Sequence, residues 1–556
     1  MAILPPRPLI IFRPFSFQAG MREPLRAVQT VLLAGCLAAW LVPPMARAAG
    51  GAAENSKATT STSPAKNAGA TKDPAAESPA TDQVQVSKPQ IAEFNNEIIM
   101  LAVDDELRRS EAVDGHRIDV DVDAGIVTLS GYVNNLLAKR IVVGLAERVR
   151  GVVSVLDEME VHTDSRDDAA IVNDVHAALE SDPTTEHIIL EVAVERGKAT
   201  LSGEVASHGE KTLAGEVAMG VKGVLELENK LTVQANETLT DQELQHEIHE
   251  LCEYAALLDD SKIEVAVQDG NVVLNGHVAS SFQKSYAVGL AYRAGAKAVD
   301  SRGIYVSWRN SDPLLRTKRY EQATDEDIEQ AVQRAFKHDP RILSFAPKVA
   351  VKDGVATLTG DVGHLTARRA AEQDARYTIG VRRVKNKLSV HWPDQPPGDR
   401  QIADYARAAM ARDPYVTRHN LKIECENAHV SLYGLVDTQF EKYHAEWIAS
   451  RQKGVVHVND YLAVRKKWKP KSDAAIEADL KEKLAYTFVD SNNQVTAKVT
   501  DGVALLEGTV DTWLMWQTAI DQAIAAGARE PHNMIEVRYG LPSSPEYNGP
   551  RDYVPR

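Results

Sequence analysis

The sequence predicts an α+β fold, a tandem array of six α-β-β-α-β modules of about 70 residues each. Two repeated features support this prediction. A block of alternating apolar and polar residues between two glycines occurs six times, and its fourth copy reads KDGVATLTG, from Lys352 to Gly360. A Gly-Val or Gly-Ala pair then follows each block, as Gly380-Val381 does in the fourth copy. One small unit is therefore repeated along most of the chain.

The repeat divides the chain into segments with different expected structures. Modules 1 to 6 are predicted, in chain order, at residues 89–163, 167–235, 240–308, 324–392, 398–466 and 472–540. Two stretches, 309–323 and the Pro-rich 391–399, are predicted hinges, and residues 541–556 are predicted to be a flexible tail. Modules this similar are expected to dock end to end with their neighbours and to form an elongated body.

Each module is expected to begin with a helix and to end with a strand. Ile328, Val332 and Phe336 recur at helical spacing in the fourth copy, and residues 118–122 alternate as a strand does. The first glycine of each block then closes a hairpin. A second helix leads to the last strand, and this crossover makes the last strand parallel to the second, so each three-stranded sheet is mixed. Both helices must cover one face, because three strands alone are marginally stable.

The regularly spaced glycines are predicted to be structural positions, in turns and at helix ends. Both places call for positive φ, which glycine adopts at the lowest steric cost. The predicted turn and cap positions are Gly125, Gly131, Gly151, Gly197, Gly203, Gly223, Gly270, Gly276, Gly354, Gly360, Gly380, Gly434, Gly454, Gly502 and Gly508. In the fifth copy Ala428 replaces the first glycine. No Lys-Ser or Lys-Thr pair comes directly after any of these glycines, so a phosphate-binding loop is not expected.

The repeat resembles the BON domain of osmotically induced periplasmic proteins. Its pattern is apolar-x-V-x-D-G-x-V-x-L-x-G, followed by G-V-x-x-V-x-N-x-L-x-V, and the fourth copy matches best, from KDGVATLTGDV through GVRRVKNKLSV. The first, third, fifth and sixth copies depart from it in the asparagine, the first glycine or the spacing of the closing strand. The resemblance implies a periplasmic or envelope binding module that contacts phospholipid and membrane proteins. It implies no catalytic residues.

Residues 1–48 are predicted to be a signal peptide. A short basic region precedes the apolar run VLLAGCLAAWLV, and small residues ending at Ala48 supply a cleavage site. This pattern predicts export to the periplasm. Acylation of Cys36, within a lipobox-like LAGC sequence, is the alternative and would make the protein a lipoprotein. Met21 is an alternative start, and residues 49–88, which are small and polar, are predicted to be a disordered linker.

Composition and motifs exclude several classes of function. The formal net charge of −15 disfavours nucleic-acid binding, because contacts to phosphates need a basic surface. Neither a catalytic motif nor a cofactor motif is present, so no enzyme, cofactor or small-molecule substrate is expected. His246 and His249 are not spaced as in a zinc-binding helix, which predicts no metal site. Cys252 and Cys425 are expected to be core residues of separate modules.

Local clusters of cations and aromatic residues are the candidate contact residues. They are Arg368 and Arg369 in the fourth copy, Arg465 and Lys466 before the sixth, and Trp516 in the sixth. The sequence thus favours a non-enzymatic periplasmic protein that contacts phospholipid membranes or membrane-associated proteins through multiple modules, in osmotic or envelope stress protection. The alternative is a self-associating scaffold or a partner-binding subunit of an envelope complex, and the oligomeric state stays open.

Overall fold

The structure is a computed structural model, and the residues that it describes lie between 96 and 537. Within this range it describes all residues except 114–116, 235–238, 343–345, 393–396, 466–470, 488–493, 511–512 and 529. The predicted signal peptide, linker and tail, and the centre of the predicted hinge at 391–399, lie outside the described residues.

The first three modules follow the predicted α-β-β-α-β order. Module 1 consists of α1 (Asn96–Arg109), β1 (Ile118–Asp123), β2 (Ile126–Val133), α2 (Leu136–Arg148) and β3 (Ser154–Val161). Module 2 consists of α3 (Asp168–Ser181), β4 (Leu190–Glu195), β5 (Lys198–Val205), α4 (His208–Met219), β6 (Glu226–Asn229) and β7 (Thr232–Val233). Module 3 consists of α5 (Asp241–Glu253), β8 (Lys262–Gln268), β9 (Asn271–Val278), α6 (Ser281–Arg293) and β10 (Ala298–Val306).

The last three modules repeat this order after one additional helix, α7 (Pro313–Gln322). Module 4 consists of α8 (Asp325–Lys337), β11 (Lys348–Lys352), β12 (Val355–Val362), α9 (Leu365–Arg376) and β13 (Arg383–Val390). Module 5 consists of α10 (Asp399–Arg412), β14 (Lys422–Glu426), β15 (His429–Val436), α11 (Gln439–Ser450) and β16 (His457–Val464). Module 6 consists of α12 (Asp473–Thr487), β17 (Gln494–Thr500), β18 (Val503–Val510), α13 (Trp513–Ala526) and β19 (Glu530–Val537).

Every sheet is mixed, with its second strand in the centre, as the sequence predicts. In module 4, β11 runs antiparallel to β12 and β13 runs parallel to it. The other five sheets have the same arrangement. In module 2 the last strand is divided into β6 and β7 next to Asn229, whose side-chain oxygen accepts a hydrogen bond from the N–H of Leu231 at 3.2 Å.

The two helices of each module cover one face of its sheet and enclose a small core. In module 4, Ile328, Val332 and Phe336 of α8 pack with Leu358 of β12 and Ala371 of α9 in one buried cluster. Burial of a large apolar side chain stabilises a fold by about 1.5–3 kcal/mol. The periodic residues that predicted the helix are therefore the ones that attach it to the sheet, and the opposite face of the sheet is left uncovered.

A side chain at the start of each first helix holds the hairpin turn. In module 4, the carboxylate of Asp325 accepts hydrogen bonds from the N–H groups of Asp353 at 2.7 Å and Gly354 at 2.8 Å. The equivalent acceptors in the other modules are Asn96, Asp168, Asp241, Asp399 and Asp473. This acceptor precedes the turn by 29 residues in every module. The first helix and the hairpin are thus joined by charge-assisted hydrogen bonds in five of the six modules.

The predicted glycines all have positive φ, but they fall into three structural classes. The first glycine of each block lies in the hairpin turn, as Gly354 does with φ of 72°. Ala428 adopts φ of 61° at the same place. The second glycine is neither a turn nor a cap: Gly131 lies inside β2, where a Cβ atom would be 2.2 Å from the carbonyl oxygen of Arg117. The third class, exemplified by Gly380, lies in the turn after the second helix rather than at the cap itself.

The prediction of a hinge at 309–323 is wrong, because this segment contains the helix α7. The carboxylate of Asp312 caps the helix, and Pro313 occupies its first turn. The buried guanidinium of Arg316 then contacts Asp259 at 3.0 Å and Asp260 at 3.2 Å, both in module 3. The segment is therefore attached to the preceding module by ion pairs.

Neighbouring modules dock as predicted, but the prediction of an elongated end-to-end body is wrong for modules 1 to 5, because they also contact modules that are not their neighbours in the chain. Module 2 touches modules 1, 3, 4 and 5 through the pairs Arg140–Glu216, His208–Tyr292, Gly209–Pro340 and Asp182–Arg451. The other four modules form a closed ring, 1–3–4–5–1, through the pairs Glu147–Ser285, Arg293–Asp374, Arg369–Glu446 and Ala112–Tyr415. Five modules therefore pack as one interlocked body with module 2 as its hub.

Module 6 packs around a core of its own. Its buried cluster combines Leu480 of α12, Leu506 of β18, Trp516 of α13 and Ile535 of β19, and every described member of the cluster belongs to module 6. The cores of modules 1, 2 and 5, by contrast, take in residues of other modules, such as Leu365 of module 4 in the core of module 5.

Candidate functional site

The uncovered face of the sheet in module 4 is rich in lysine. Three rows of residues cross its three strands: Lys348–Thr359–Lys387, Ala350–Thr357–Lys385 and Lys352–Val355–Arg383. These side chains alternate with the buried residues of the same strands, such as Val349 and Leu358, and so point away from the helices. We call this surface the basic face.

The four lysines of the basic face are exposed and have no acidic partner. Lys348, Lys352, Lys385 and Lys387 are all exposed, and no carboxylate of the described chain forms an ion pair with them. The acidic residue of β12 on this side, Asp361, instead contacts His391 at 2.8 Å, at the end of the sheet. The positive charge of the lysines is therefore not neutralised from within the module.

The spacing of the sheet concentrates these cations in a small flat area. Neighbouring strands lie about 4.8 Å apart and alternate residues of a strand about 7 Å apart. The face therefore presents its cations within roughly 10 Å by 14 Å, and the hydroxyls of Thr357 and Thr359 lie between the lysines as further donors. Like charges at such distances repel one another, and an anionic surface with several phosphates would relieve that repulsion.

The corresponding faces of other modules have different chemistry. In module 5, Tyr433 stacks on Tyr461 with ring centroids 5.1 Å apart. In module 2, the central Lys198 contacts Glu226 at 2.7 Å and Glu228 at 3.6 Å. The basic face is therefore a property of module 4 and not of the repeated fold.

Some of the cations that were predicted as contact residues form contacts within the five-module body instead. Arg369 forms an ion pair with Glu446 and joins module 4 to module 5. Its neighbour Arg368 is half-buried on α9. Arg465 lies 3.5 Å from the carboxylate of Asp437 but is still largely exposed. Lys466 lies outside the described residues.

Trp516 does not form a surface contact site. Only 3% of its surface is exposed, because it packs with Leu480 and Leu484 of α12 and Ile535 of β19 in the core of module 6. The residues Trp-Leu-Met-Trp at the start of α13 had suggested a membrane or partner contact. The position of Trp516 three residues into α13 instead directs it at the sheet.

One cluster of residues at the start of α11 has the composition of a metal site. The atoms of His419, Asp437 and Glu441 lie within 4.8 Å of one another. The carboxylate of Glu441 already accepts hydrogen bonds from the N–H of Asp437 at 2.7 Å and from Thr438, and Arg418 forms an ion pair with it. These donors satisfy the carboxylate as a helix cap, and the arginine would repel a cation. The cluster is better explained as a capping network.

The contacts between modules bury several ionisable groups. Burial between modules 1 and 3 raises the pKa of Glu147 to about 8, although a hydrogen bond from Ser285 and the charge of Arg148 lower it. Burial also lowers the pKa of His364 to about 4. The Nδ1 atom of His364 accepts a hydrogen bond from the N–H of Ala367 at 2.9 Å, so the helix cap requires the neutral ring. These groups stabilise the body only in one protonation state.

Sequence reasoning missed the basic face, although a signal for it was present. KVAVK in β11 and RVKNKLSV in β13 place a cation at alternate positions. Residues at alternate positions of a strand share one face. The apolar residues of these strands predict the core, but the sequence does not show that both strands pair with β12 and so place their cations on one surface.

A comparison with protein families matches the BON domain six times. The matches cover residues 95–163, 167–235, 240–304, 324–391, 398–466 and 472–539. Together they account for most of the chain and for each of the six sheets described above.

Individual relatives are more distant. Osmotically-inducible protein Y of Escherichia coli (strain K12) is 28% identical over 152 residues, which cover 26% of this chain and 76% of that protein. Among solved structures, CdsD, a structural protein of the type III secretion system of Chlamydia trachomatis, is 17% identical over 38% of this chain and 91% of its own, with a TM-score of 0.11. Its C-terminal domain is 14% identical over 36% of this chain, with a TM-score of 0.10. Within the described residues, no helix is long and apolar enough to cross a membrane.

Proposed function

The chain belongs to the BON domain family, and we propose that it is a non-enzymatic envelope protein that binds anionic phospholipid surfaces through the basic face of module 4. The observation that supports this proposal most directly is the set of four exposed lysines without acidic partners in a chain with a net charge of −15. The proposal narrows the contact from several modules, as the sequence favoured, to one.

The expected binding is weak and sensitive to salt. Each Lys or Arg near an anionic bilayer contributes about 1 kcal/mol, so four lysines contribute about 4 kcal/mol, which corresponds to a dissociation constant on the order of 1 mM. At 0.1 M salt the Debye length is about 10 Å, so the distant acidic residues of the chain repel the membrane less than the nearby lysines attract it. Local attraction can therefore act despite the negative net charge.

Two further observations favour an envelope location and a role in stress. The amino-terminal pattern predicts export, and a relative, osmotically-inducible protein Y, is named for its response to osmotic conditions. We therefore propose a periplasmic protein that associates reversibly with the membrane surface during osmotic or envelope stress.

Co-sedimentation of the full chain with vesicles tests this proposal. We expect binding to vesicles that contain phosphatidylglycerol at about 20 mM salt, no binding to pure phosphatidylcholine vesicles, and loss of binding at about 0.5 M salt, where the Debye length is only about 4 Å. The variant Lys385→Glu/Lys387→Glu should lose most of the bound fraction, because two attractive charges become repulsive.

The variant Lys262→Glu/Lys422→Glu is the matched control. It makes the same change in net charge on the outer faces of modules 3 and 5, where Lys262 and Lys422 are exposed. We expect it to bind nearly as well as the wild type. If both double variants lose binding equally, total charge and not the basic face determines the attraction. If the wild type ignores anionic vesicles at low salt, the proposal is wrong.

A further inference from the structure

The uncovered face of the sheet in module 1 has the opposite charge to that of module 4. Its three rows are Asp119–Ser130–Glu158, Asp121–Thr128–Leu156 and Asp123–Ile126–Ser154. We call this surface the acidic face. Asp119, Asp121, Asp123 and Glu158 are exposed, and no cation of the described chain forms an ion pair with them.

The charges of the two faces occupy the same positions of the same fold. In both modules, the residue just before the second glycine pairs with a charged residue of the first strand. Ser130 pairs with Asp119 in module 1, and Thr359 pairs with Lys348 in module 4. Glu158 and Lys387 are the last-strand partners of those same residues. Asp123 and Lys352 occupy a third equivalent position, at the hairpin end of the first strand. Two flat surfaces of one shape therefore carry opposite charges with the same spacing.

We propose that the acidic face of module 1 docks on the basic face of module 4 of a second copy of this chain. When two sheets pack face to face with aligned strands, the first strand of one lies over the last strand of the other. This arrangement places Asp119 opposite Lys387 and Glu158 opposite Lys348. Both pairs bring a carboxylate to an ammonium group, and both leave the helices and the interlocked body unchanged.

Other faces of the chain match the basic face less well. The outer face of module 2 is also acidic, but its central Lys198 already contacts Glu226 and Glu228. In module 5, the row equivalent to Lys348–Thr359–Lys387 carries Tyr433 and Tyr461, which stack on each other. The acidic and basic faces are both exposed in the single chain, so they do not cover each other within it. A second copy is therefore the partner whose chemistry fits.

The contact is between two different faces, and each copy carries one of each. Such an interface closes into a ring of two or more copies if the rotation allows, and otherwise extends as a chain. Opposite charges that remain partly solvated contribute little each and are screened by salt. The association should therefore be weak, reversible and strongest at low ionic strength.

Sedimentation velocity of the full chain, without lipid, tests this proposal. At about 20 mM salt the wild type should form species larger than a monomer in a concentration-dependent manner, and about 0.5 M salt should restore the monomer. Asp119→Lys/Glu158→Lys and Lys348→Glu/Lys387→Glu should each reduce the association constant by on the order of tenfold or more, because like charges then face each other. An equimolar mixture of the two variants should associate again, since each supplies the face that the other has lost.

Three outcomes would overturn the proposal. The first is a wild type that stays monomeric at low salt up to about 1 mM, a concentration at which even a contact with a dissociation constant of about 1 mM is measurably populated. The second is association of either double variant alone at the wild-type level. The third is a failure of the mixture to associate although circular dichroism shows both variants to be folded. The control variant Lys262→Glu/Lys422→Glu should associate as the wild type does. Because no membrane is present, the result is independent of the proposed lipid binding.

Discussion

Modules 1 to 5 and module 6 have the same fold but obtain their stability from different surroundings. In the five-module body, second helices and the turns around them contact other modules, and buried ion pairs such as Asp182–Arg451 join residues far apart in the chain. In module 6, both helices pack on their own sheet, and the core contains only the module's own described residues. A repeated fold therefore does not imply equivalent modules.

The difference predicts two cooperative units instead of six. A module that is joined to its neighbours by shared core residues or by buried ion pairs, such as Arg293–Asp374, loses stability when those neighbours unfold, whereas a module without such contacts does not. We therefore expect the body to unfold as one unit and module 6 to unfold as another. Hydrogen exchange measured by mass spectrometry in increasing urea can follow both units in one sample.

Breaking the ion pair between modules 2 and 5 should have the largest effect. The Nε and Nη2 atoms of Arg451 both lie 2.6 Å from the carboxylate of Asp182, and both side chains are buried. Arg451→Ala leaves a buried carboxylate without its partner, which should destabilise the body by about 3–5 kcal/mol. Amide protection should fall throughout modules 1 to 5, while module 6 keeps its protection.

Two further variants complete this test. Arg407→Ala removes an exposed pair with Asp404 and should change stability by less than about 1 kcal/mol. Leu480→Ala in module 6 should lower the protection of that module alone, by about 2–5 kcal/mol. Loss of protection in module 6 upon Arg451→Ala would show that the two units are coupled, and a loss confined to module 5 would show that the body is not cooperative.

A change of pH should alter the stability of the body relative to that of module 6, by a somewhat smaller amount than Arg451→Ala does. Glu147 is buried in the body with a pKa of about 8, against an ordinary value of 4.5. The folded body retains this proton where the unfolded chain has released it, so the body should lose a few kcal/mol of stability as pH rises from about 5 to about 8. Unfolding followed in urea at pH 5, 6.5 and 8 measures this slope.

Glu147→Gln should remove the part of this slope that Glu147 contributes, since the amide mimics the protonated carboxyl and does not titrate. Burial also raises the pKa of Asp259 and of Asp374, so the remaining slope should have the same sign. The transition of module 6 serves as the internal reference in each experiment. A slope that is unchanged in the Gln variant would exclude Glu147 as its source.

Substitution of the hairpin glycines should cause the smallest loss of stability. The modules that share this loss show the extent of each cooperative unit. Gly354→Val introduces a β-branched side chain at φ of 72°, where a Cβ atom would lie 2.9 Å from the carbonyl oxygen of Gly380. We expect a loss of about 1–3 kcal/mol, spread through the body. Gly502→Val, at φ of 75° in module 6, should cause a similar loss that remains within that module. An unchanged melting profile for either variant would contradict the strain at its turn.

Much of the fold could be predicted because its signals are local. The spacing of Ile328, Val332 and Phe336 predicted a helix that is present, and the Asp-Gly turn predicted a hairpin that is present. The predictions that are wrong concern contacts between residues that are far apart in the sequence. The segment 309–323, which lies between modules 3 and 4, was predicted to be a hinge, yet it is a helix whose Arg316 is buried against module 3. Trp516 was predicted to be a possible contact residue because tryptophan and methionine at the start of a helix can insert into a membrane interface. Its burial depends on Leu480 and Ile535, which belong to another helix and a strand.

The candidate site shows the same division between local and distant information. The alternation of cations in β11 and β13 is visible in the sequence. The two sets of cations form one basic surface only because the two strands lie on either side of β12 in the folded sheet. The same holds for Asp119 and Glu158 on either side of β2.

The sequence by itself determined the repeated unit, its element order and the turns that need positive φ. These features depend on residues within one module, where hydrophobic periodicity and backbone sterics act over short distances. Only the tertiary structure decided that five modules interlock around module 2 while module 6 packs alone. That outcome depends on side chains such as Arg140 and Glu216, which are 76 residues apart. A charged residue of this kind has the same appearance in a sequence whether water or another module surrounds it, and only its burial reveals which.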